Sequence, residues 1–388
     1  MAMKKNGIKI SSAILVVIAL FFLCAPVYVR EALIHWLPDI TDTYLFPSNR
    51  VAKADTCWDF PLAREYNTYE MTAEENAYLQ QYGTVAYLVI RQDSVLYEEY
   101  REGWTPQSLA NIFSATKSIV GLLAGIAYDE GYIESLDDKV GKYLPEFQGG
   151  DRVTVRNLLT MSSGLDWDEA YSSLFSKTTQ AYYGDHIREL VMNLKVVEEP
   201  GKKYSYKSGD TQLLAFVIEA ALARGGKEGE AQTISDYAAR KLWQPIGACN
   251  DALWNLDREG GDEKTYCCFN TTARDLAHVA RLVMNNGNWN GKQVISEAYL
   301  REAVTPAAYL ENEFGDGALD YYGFQIWIVN YGGMKFPAFR GLGGQYVFMI
   351  PEKNAIVIRL GHKRSDEYLR EKTVDMDEYL NIAFRILQ

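Results

Sequence analysis

The stretch "NIFSATKSIVG", residues 111–121, places a serine three residues before a lysine and then continues into an apolar run. Residues three apart share one face of a helix, so the Lys117 amine can reach the Ser114 hydroxyl. An ammonium group is costly to bury unless something uses it. The stretch therefore predicts a central helix that opens with a Ser-x-x-Lys pair, and a chemical use for the lysine.

That use is proton transfer. Burial lowers the pKa of a lysine because desolvation disfavours the charged form. A neutral Lys117 amine can take the proton of Ser114 and make it a nucleophile, and the Ser114 N–H at the helix start can be one half of an oxyanion hole. The bare pattern is weak evidence, since about one such match is expected by chance and the chain holds one.

A second element, "EPGKKYSYKSGDTQLL" (199–214), places Tyr206 on a polar loop ahead of a predicted helix. A tyrosine close to Lys117 can share the proton, as phenolate or relay, and later protonate a leaving group. Tyr204, two residues earlier, is the alternative, and either tyrosine can instead be a packing residue.

A third element, "FRGLGGQYVFMIPEKNAIVI" (339–358), predicts a glycine-rich lead into a strand, a turn and a returning strand. Gly341 and Gly343 would let a substrate backbone approach closely, and an exposed N–H there could complete the oxyanion hole. Trp167 and Tyr266 are candidates for the substrate pocket, although each is equally typical of a core.

These blocks resemble the penicillin-recognising serine hydrolases, and most closely the class C β-lactamase-related branch that includes 6-aminohexanoate-dimer hydrolases, esterases and D-peptidases. The resemblance covers roughly residues 60–385. It also includes the blocks "LLTMSSGLDW" and "YCCFNTTARDLAHVARLVMNNGNWNG". It implies Ser114 as nucleophile, Lys117 as its partner, Tyr206 (six residues after Pro200) as the tyrosine, and a second oxyanion N–H at Leu342. It implies no cofactor and no metal.

Two departures from that family bear on the substrate. Phe339 and Arg340 stand where true β-lactamases carry the lysine and threonine of Lys-Thr-Gly, and Ser208 stands where they often carry asparagine. Arg340 offers charge, but its position one residue along a strand is expected to point it to the other face. The departures favour an amidase or esterase of the dimer-hydrolase type over β-lactam hydrolysis.

Composition excludes several other classes. The 388 residues carry a net charge of −12 without a basic stripe, which argues against nucleic acid as a partner. The sequence has no G-x-S-x-G, H-E-x-x-H or C-x-x-C, so a serine triad on an α/β-hydrolase fold and a zinc site are unsupported. Cys57 and Cys249 are either a disulfide or free buried thiols.

The N-terminus predicts a membrane segment. Three lysines precede an uncharged run from Ile10 to Val29, which as a helix would be about 30 Å long and able to cross a bilayer. The lysines would stay cytoplasmic and place the rest of the chain in the periplasm or on the outer surface. A cleaved secretory signal is the second interpretation, and a buried core helix is the third.

Together these observations predict a membrane anchor (1–30), a connector (31–70) and a hydrolase domain (71–388). Strands early and late with helices between them indicate an α+β fold, in which an antiparallel sheet flanked by helices carries an all-helical insertion at about 150–265; the resemblance specifies the β-lactamase/transpeptidase type. The expected substrate is a small-molecule or peptide-like amide or ester. The alternatives are a D,D-peptidase or β-lactamase acting on cell-wall-like substrates, and a non-catalytic relative that binds peptide or wall fragments.

Overall fold

The computed structural model describes residues 24–226 and 233–388, together with Phe22. Within them lie eleven α-helices: α1 (Val27–His35), α2 (Ala73–Gln81), α3 (Thr116–Asp129), α4 (Val155–Leu159), α5 (Lys177–Tyr183), α6 (Ile187–Met192), α7 (Ser208–Gly225), α8 (Ile234–Ala238), α9 (Ala273–Met284), α10 (Glu297–Ala303) and α11 (Asp375–Ile386).

The same residues form fourteen strands: β1 (Ser48–Val51), β2 (Thr84–Arg91), β3 (Ser94–Tyr100), β4 (Ala110–Asn111), β5 (Ala252–Asn255), β6 (Phe269–Thr271), β7 (Asn288–Trp289), β8 (Lys292–Gln293), β9 (Trp327–Tyr331), β10 (Met334–Gly341), β11 (Gln345–Ile350), β12 (Ala355–Gly361), β13 (Tyr368–Leu369) and β14 (Lys372–Thr373).

The main sheet is built from both ends of the domain, as the order of elements predicts. Its six antiparallel strands run in the order β3-β2-β12-β11-β10-β9. The stretches 84–90 and 95–100 predict a hairpin, and β2 and β3 form it. The turn residues Gln92 and Asp93 both have positive φ, as a tight two-residue hairpin turn requires. The predicted α+β fold, with an antiparallel sheet built from early and late strands, is therefore confirmed.

The main sheet is buried on both faces. In β2, Ala86, Leu88 and Ile90 enter the larger hydrophobic core, whereas Tyr87 and Val89 enter a smaller one on the opposite face. This alternation follows from the two-residue period of a strand. The larger core contains the side chains of α3, α7 and α9, and the smaller core is covered by α2 and α11. The architecture is thus a sheet sandwiched between helical layers.

Five helices, α4 to α8, lie within the predicted insertion. The chain there also contains β5, which pairs with β1 from the predicted connector and with β6. Together with β4 they form a second antiparallel sheet in the order β1-β5-β6-β4, which the sequence did not indicate. Its last strand leads directly into the turn that holds Ser114, so this small sheet fixes the approach to the candidate site.

Helix ends follow local sequence signals. Thr154 and Thr272 each precede a helical run, which predicts that they are N-caps. Their side chains accept hydrogen bonds from the N–H groups three residues later, and so cap α4 and α9. Two boundaries differ from expectation. The stretch 154–165 predicts a short helix closed by Gly164, but α4 ends at Leu159. The stretch 322–329 predicts a strand, but β9 begins only at Trp327.

Residues 10–21 and 23 of the predicted membrane segment, 10–29, lie outside the described residues; α1 begins within its last three positions. Among the described helices none has both the length and the apolar character needed to cross a bilayer. Cys57 is disulfide-bonded to Cys249, which decides between the two alternatives left open by the sequence, and Cys267 is bonded to its neighbour Cys268.

Candidate active site

Ser114 lies in a single 3-10 turn, Phe113–Ala115, immediately before α3. The Ile112 N–H donates to the Phe269 carbonyl of the small sheet at 3.0 Å, which fixes the strand side of the turn. Phe113 adopts a left-handed φ of +46°, and its N–H donates to the Asn111 side chain. A strained backbone at this position leaves Ser114 partly exposed while both of its neighbours are buried.

Lys117 lies on the first turn of α3 and is 1% exposed. Its Nζ donates to Ser114 Oγ at 2.9 Å and to the Tyr266 carbonyl oxygen at 2.7 Å. Desolvation lowers the pKa of Lys117 to about 8, against a small opposing effect of the Glu169 charge. The amine is therefore positioned to accept the serine proton and is partly neutral near physiological pH.

Tyr206 reaches the same point from the loop before α7. Its ring lies 5.0 Å from Lys117 Nζ and packs at 5.5 Å against Trp327. Burial raises the pKa of Tyr206, the Glu169 charge raises it further, and a hydrogen bond with the Ser114 side chain lowers it. The raised pKa makes the phenol, not the phenolate, the form present near neutral pH. Tyr204 is fully buried between Tyr321 and Tyr322, away from Ser114.

Glu169 is the acidic residue of the site, and no motif identified it. Its carboxylate accepts hydrogen bonds from the Ser208 N–H at 2.7 Å, the Ser208 hydroxyl at 2.6 Å and the Tyr171 hydroxyl at 2.7 Å. The serine that replaces the family's usual asparagine therefore holds this carboxylate at the start of α7. Nearby Asp166 and Asp168 instead accept hydrogen bonds from the backbone N–H groups of Lys195 and Lys177, respectively.

Leu342 follows the last residue of β10 and lines the site together with Ser114, so the end of the strand lies close to the Ser114 turn. Gly341 makes this approach possible, because a Cβ at that position would lie 2.2 Å from the Ile112 carbonyl oxygen. Gly343 has a φ of +71°, and its carbonyl accepts from Arg359 on the side of the sheet. Of the two glycines predicted to line the substrate site, Gly341 does so and Gly343 lines neither cavity there.

Two cavities open beside Ser114. The first, here the charged cleft, has a volume of about 330 Å³ and includes six charged side chains in its lining: Glu169, Glu313, Arg340, Arg364, Arg370 and Glu371. The second, here the apolar cavity, has a volume of about 420 Å³ and is lined chiefly by Trp36, Leu37, Phe113, Leu174, Tyr182 and Tyr266. Ser114, Tyr171 and Leu342 line both.

Two side chains lie differently from expectation. Arg340 was expected to point away from the site, but its guanidinium lies 4.1 Å from the Trp327 ring centre and lines the charged cleft. Arg340 is the next-to-last residue of β10, so its long side chain reaches the cleft at the end of the strand. Trp167 lines neither cavity. It is buried in the larger core against Tyr266 and the first turn of α7, where a side chain at Gly209 would meet its ring.

Comparisons with known proteins agree with this geometry. The family profile described as Beta-lactamase matches residues 72–380. Over 308 residues, 73% of each chain, the sequence is 29% identical to the 6-aminohexanoate-dimer hydrolase of Paenarthrobacter ureafaciens. It is also 32% identical over 119 residues to a D-aminopeptidase of Brucella anthropi, covering 30% of this chain and 21% of the relative.

Solved structures show the same fold. A Bacillus anthracis protein provisionally named as a 6-aminohexanoate-dimer hydrolase is 19% identical, has a TM-score of 0.74, and matches over 93% of this chain and 95% of its own. A family VIII carboxylesterase is 16% identical with a TM-score of 0.61, over 82% of this chain and 99% of its own. The resemblance drawn from the motif blocks is therefore confirmed.

Proposed function

Because the chain belongs to the beta-lactamase family of hydrolases, we propose that it is a serine hydrolase that cleaves an amide or ester bond through an acyl-enzyme on Ser114. The observation that carries this proposal is the 2.9 Å contact between Lys117 Nζ and Ser114 Oγ, made by a lysine buried without a carboxylate partner among the described residues. A buried, partly neutral amine on a serine hydroxyl is the arrangement that activates a nucleophile.

In the first proposed step, Lys117 takes the Ser114 proton while Oγ attacks the substrate carbonyl carbon. The backbone N–H groups of Ser114 and Leu342 stabilise the oxyanion that forms. The carbonyl C–N or C–O bond then breaks, and the leaving group takes the proton of Tyr206, which Lys117 restores. Water attacks the acyl ester in the same way, releasing the carboxylic acid and returning the proton to Ser114.

The proposed substrate class is a small amide or ester of the dimer-hydrolase and esterase type. The relatives that support it are named for cleaving a 6-aminohexanoate dimer, a D-amino peptide bond and carboxylic esters. The replacement of Lys-Thr-Gly by Phe339-Arg340-Gly341 argues against β-lactams as the main substrate. We also propose an extracytoplasmic location, supported by the two disulfides, which persist in oxidising compartments.

The test is hydrolysis of p-nitrophenyl acetate by the full chain, its Ser114→Ala variant and, as a matched control, Ser118→Ala on the same helix. Turnover should disappear in the first variant and remain in the second. A fluorophosphonate probe should add one adduct mass to the wild type and none to Ser114→Ala. Ester turnover that survives Ser114→Ala would overturn the proposal. Labelling by a fluorescent penicillin without ester turnover would favour the D,D-peptidase or β-lactamase alternative.

A further inference from the structure

The two cavities that meet at Ser114 differ in chemistry, and the proposed mechanism decides which part of a substrate enters each. Tyr206, the proposed proton donor to the leaving group, lines the charged cleft and not the apolar cavity. A leaving group must lie within hydrogen-bond reach of its proton donor. The leaving group is therefore assigned to the charged cleft, and the acyl group extends into the apolar cavity.

The apolar cavity offers nothing for a charged acyl group to bind. None of the described residues that line it carries a charge. Several of its hydroxyls are already committed: Thr178 donates to the Asp168 carbonyl, Thr179 to the Ser173 carbonyl, and Tyr182 to the Asp42 carboxylate. The side chains thus present mainly their carbon atoms to the cavity, as expected of a site for an apolar group.

The mouth of this cavity is also apolar. Trp36 and Leu37, which follow α1, line it while remaining 72% and 59% exposed. Phe175, next to the lining residue Leu174, is 73% exposed. Large apolar side chains clustered at a cavity rim mark a binding surface more often than isolated ones do.

The charged cleft has the opposite character. Arg340 is 6% exposed, and its Nε has no hydrogen-bond partner among the described residues, while one of its terminal nitrogens donates to the Glu371 carbonyl. A buried donor without a partner favours a ligand oxygen. The leaving group that fits here is a small polar amine or alcohol that carries an acceptor such as a carboxylate.

We propose that the substrate is an amphiphile: a saturated acyl chain of about eight carbons or more, held in the apolar cavity and joined through the scissile ester or amide to a small polar leaving group in the charged cleft. The proposal rests on the proposed function. Each methylene that enters the cavity is expected to raise kcat/KM roughly fourfold, until the cavity is full.

The experiment measures kcat/KM of the full chain for p-nitrophenyl esters from acetate to dodecanoate, at concentrations where each ester is dissolved. The expected result is a rise of at least about a hundredfold between acetate and octanoate. Leu174→Trp, which fills the cavity, and Leu37→Asp, which places a charge at its mouth, should each remove most of this rise, measured as each variant's own ratio of kcat/KM for octanoate to kcat/KM for acetate.

The matched control is Leu62→Asp, the same change at a residue of similar exposure (55%) that lines neither cavity; it should keep the chain-length profile. A flat or falling profile with Ser114-dependent turnover would overturn the acyl-chain proposal and leave the proposed function standing. A rise that Leu174→Trp and Leu37→Asp both leave intact would overturn the assignment of the cavity. Absence of any Ser114-dependent ester turnover would instead overturn the proposed function.

Discussion

Replacing Lys117 by methionine is expected to abolish turnover and, at neutral pH, to stabilise the fold. The lysine is fully buried and forms no ion pair with any described residue, so its charge is desolvated without compensation. Methionine has a similar length and carries no charge, so it can occupy the same space at the start of α3. Activity and stability should therefore change in opposite directions.

The magnitude follows from the pKa. Burial lowers the pKa of Lys117 from 10.5 to about 8, and at about 1.4 kcal/mol per pH unit this corresponds to roughly 3 kcal/mol. Below pH 8 the lysine is protonated in both states and the folded state bears the full cost. Between pH 8 and 10.5 only the unfolded lysine keeps its proton, so the cost declines as pH rises. In the methionine variant the Tyr266 carbonyl loses its hydrogen-bond donor, and this loss offsets about 1 kcal/mol of the gain in stability.

The variant should therefore be about 2 kcal/mol more stable than wild type at pH 7, with little difference left at pH 9.5. Urea unfolding followed by tryptophan fluorescence measures the free energy of unfolding at both pH values. Lys264→Met is the matched control: Lys264 is equally buried, donates to the Tyr182 carbonyl and has its pKa lowered to about 7, but does not contact Ser114. It should gain stability and keep turnover. A Lys117→Met variant that is less stable than wild type at pH 7, or whose gain is the same at both pH values, would refute the reasoning.

Three further predictions follow from the site and the disulfide. The kcat/KM should rise with pH to a plateau with a midpoint near 8, since Lys117 acts when neutral; Glu169→Gln should move that midpoint to lower pH, whereas a purely structural role would lower the rate without moving it. Gly341→Ala should reduce turnover at least about tenfold, because its Cβ would overlap the carbonyl oxygen that precedes the Ser114 turn; unchanged kcat/KM would contradict this. Replacing Cys57 and Cys249 together by serine should lower the free energy of unfolding by about 2–5 kcal/mol in urea titrations, because the bond closes a loop spanning 192 residues; an unchanged midpoint would count against it.

The elements that the sequence predicted are those with a strong local signal. The hairpin of β2 and β3 and the capped α9 each carry their period and their end signals within the segment itself. The same holds for α11, since the stretch 374–387 by itself predicts an amphipathic helix. The second sheet was missed because its strands have two to four residues and two of its three pairings join distant segments, as Ser48 with Asn255 and Ala110 with Thr271. Such pairing leaves no local period in the sequence.

The residues of the candidate site likewise include some that the sequence predicted and one that it did not. Ser114 and Lys117 are linked by helix geometry, so their contact follows from a three-residue spacing. Glu169 comes from a loop with no regular period and reaches the site only because Ser208 and Tyr171 hold its carboxylate. A loop acid held by three hydrogen-bond donors is visible in three dimensions and not in sequence.

Burial gives the two proton-handling residues their opposite roles. Removing water disfavours charge on either group, so the same desolvation lowers the pKa of Lys117, whose protonated form is charged, and raises that of Tyr206, whose deprotonated form is charged. One buried site thus yields a base and an acid near neutral pH, without a histidine. The Glu169 charge opposes desolvation at the lysine and reinforces it at the tyrosine. Its position near both groups keeps the Lys117 pKa from falling further while ensuring that Tyr206 retains the proton it must donate.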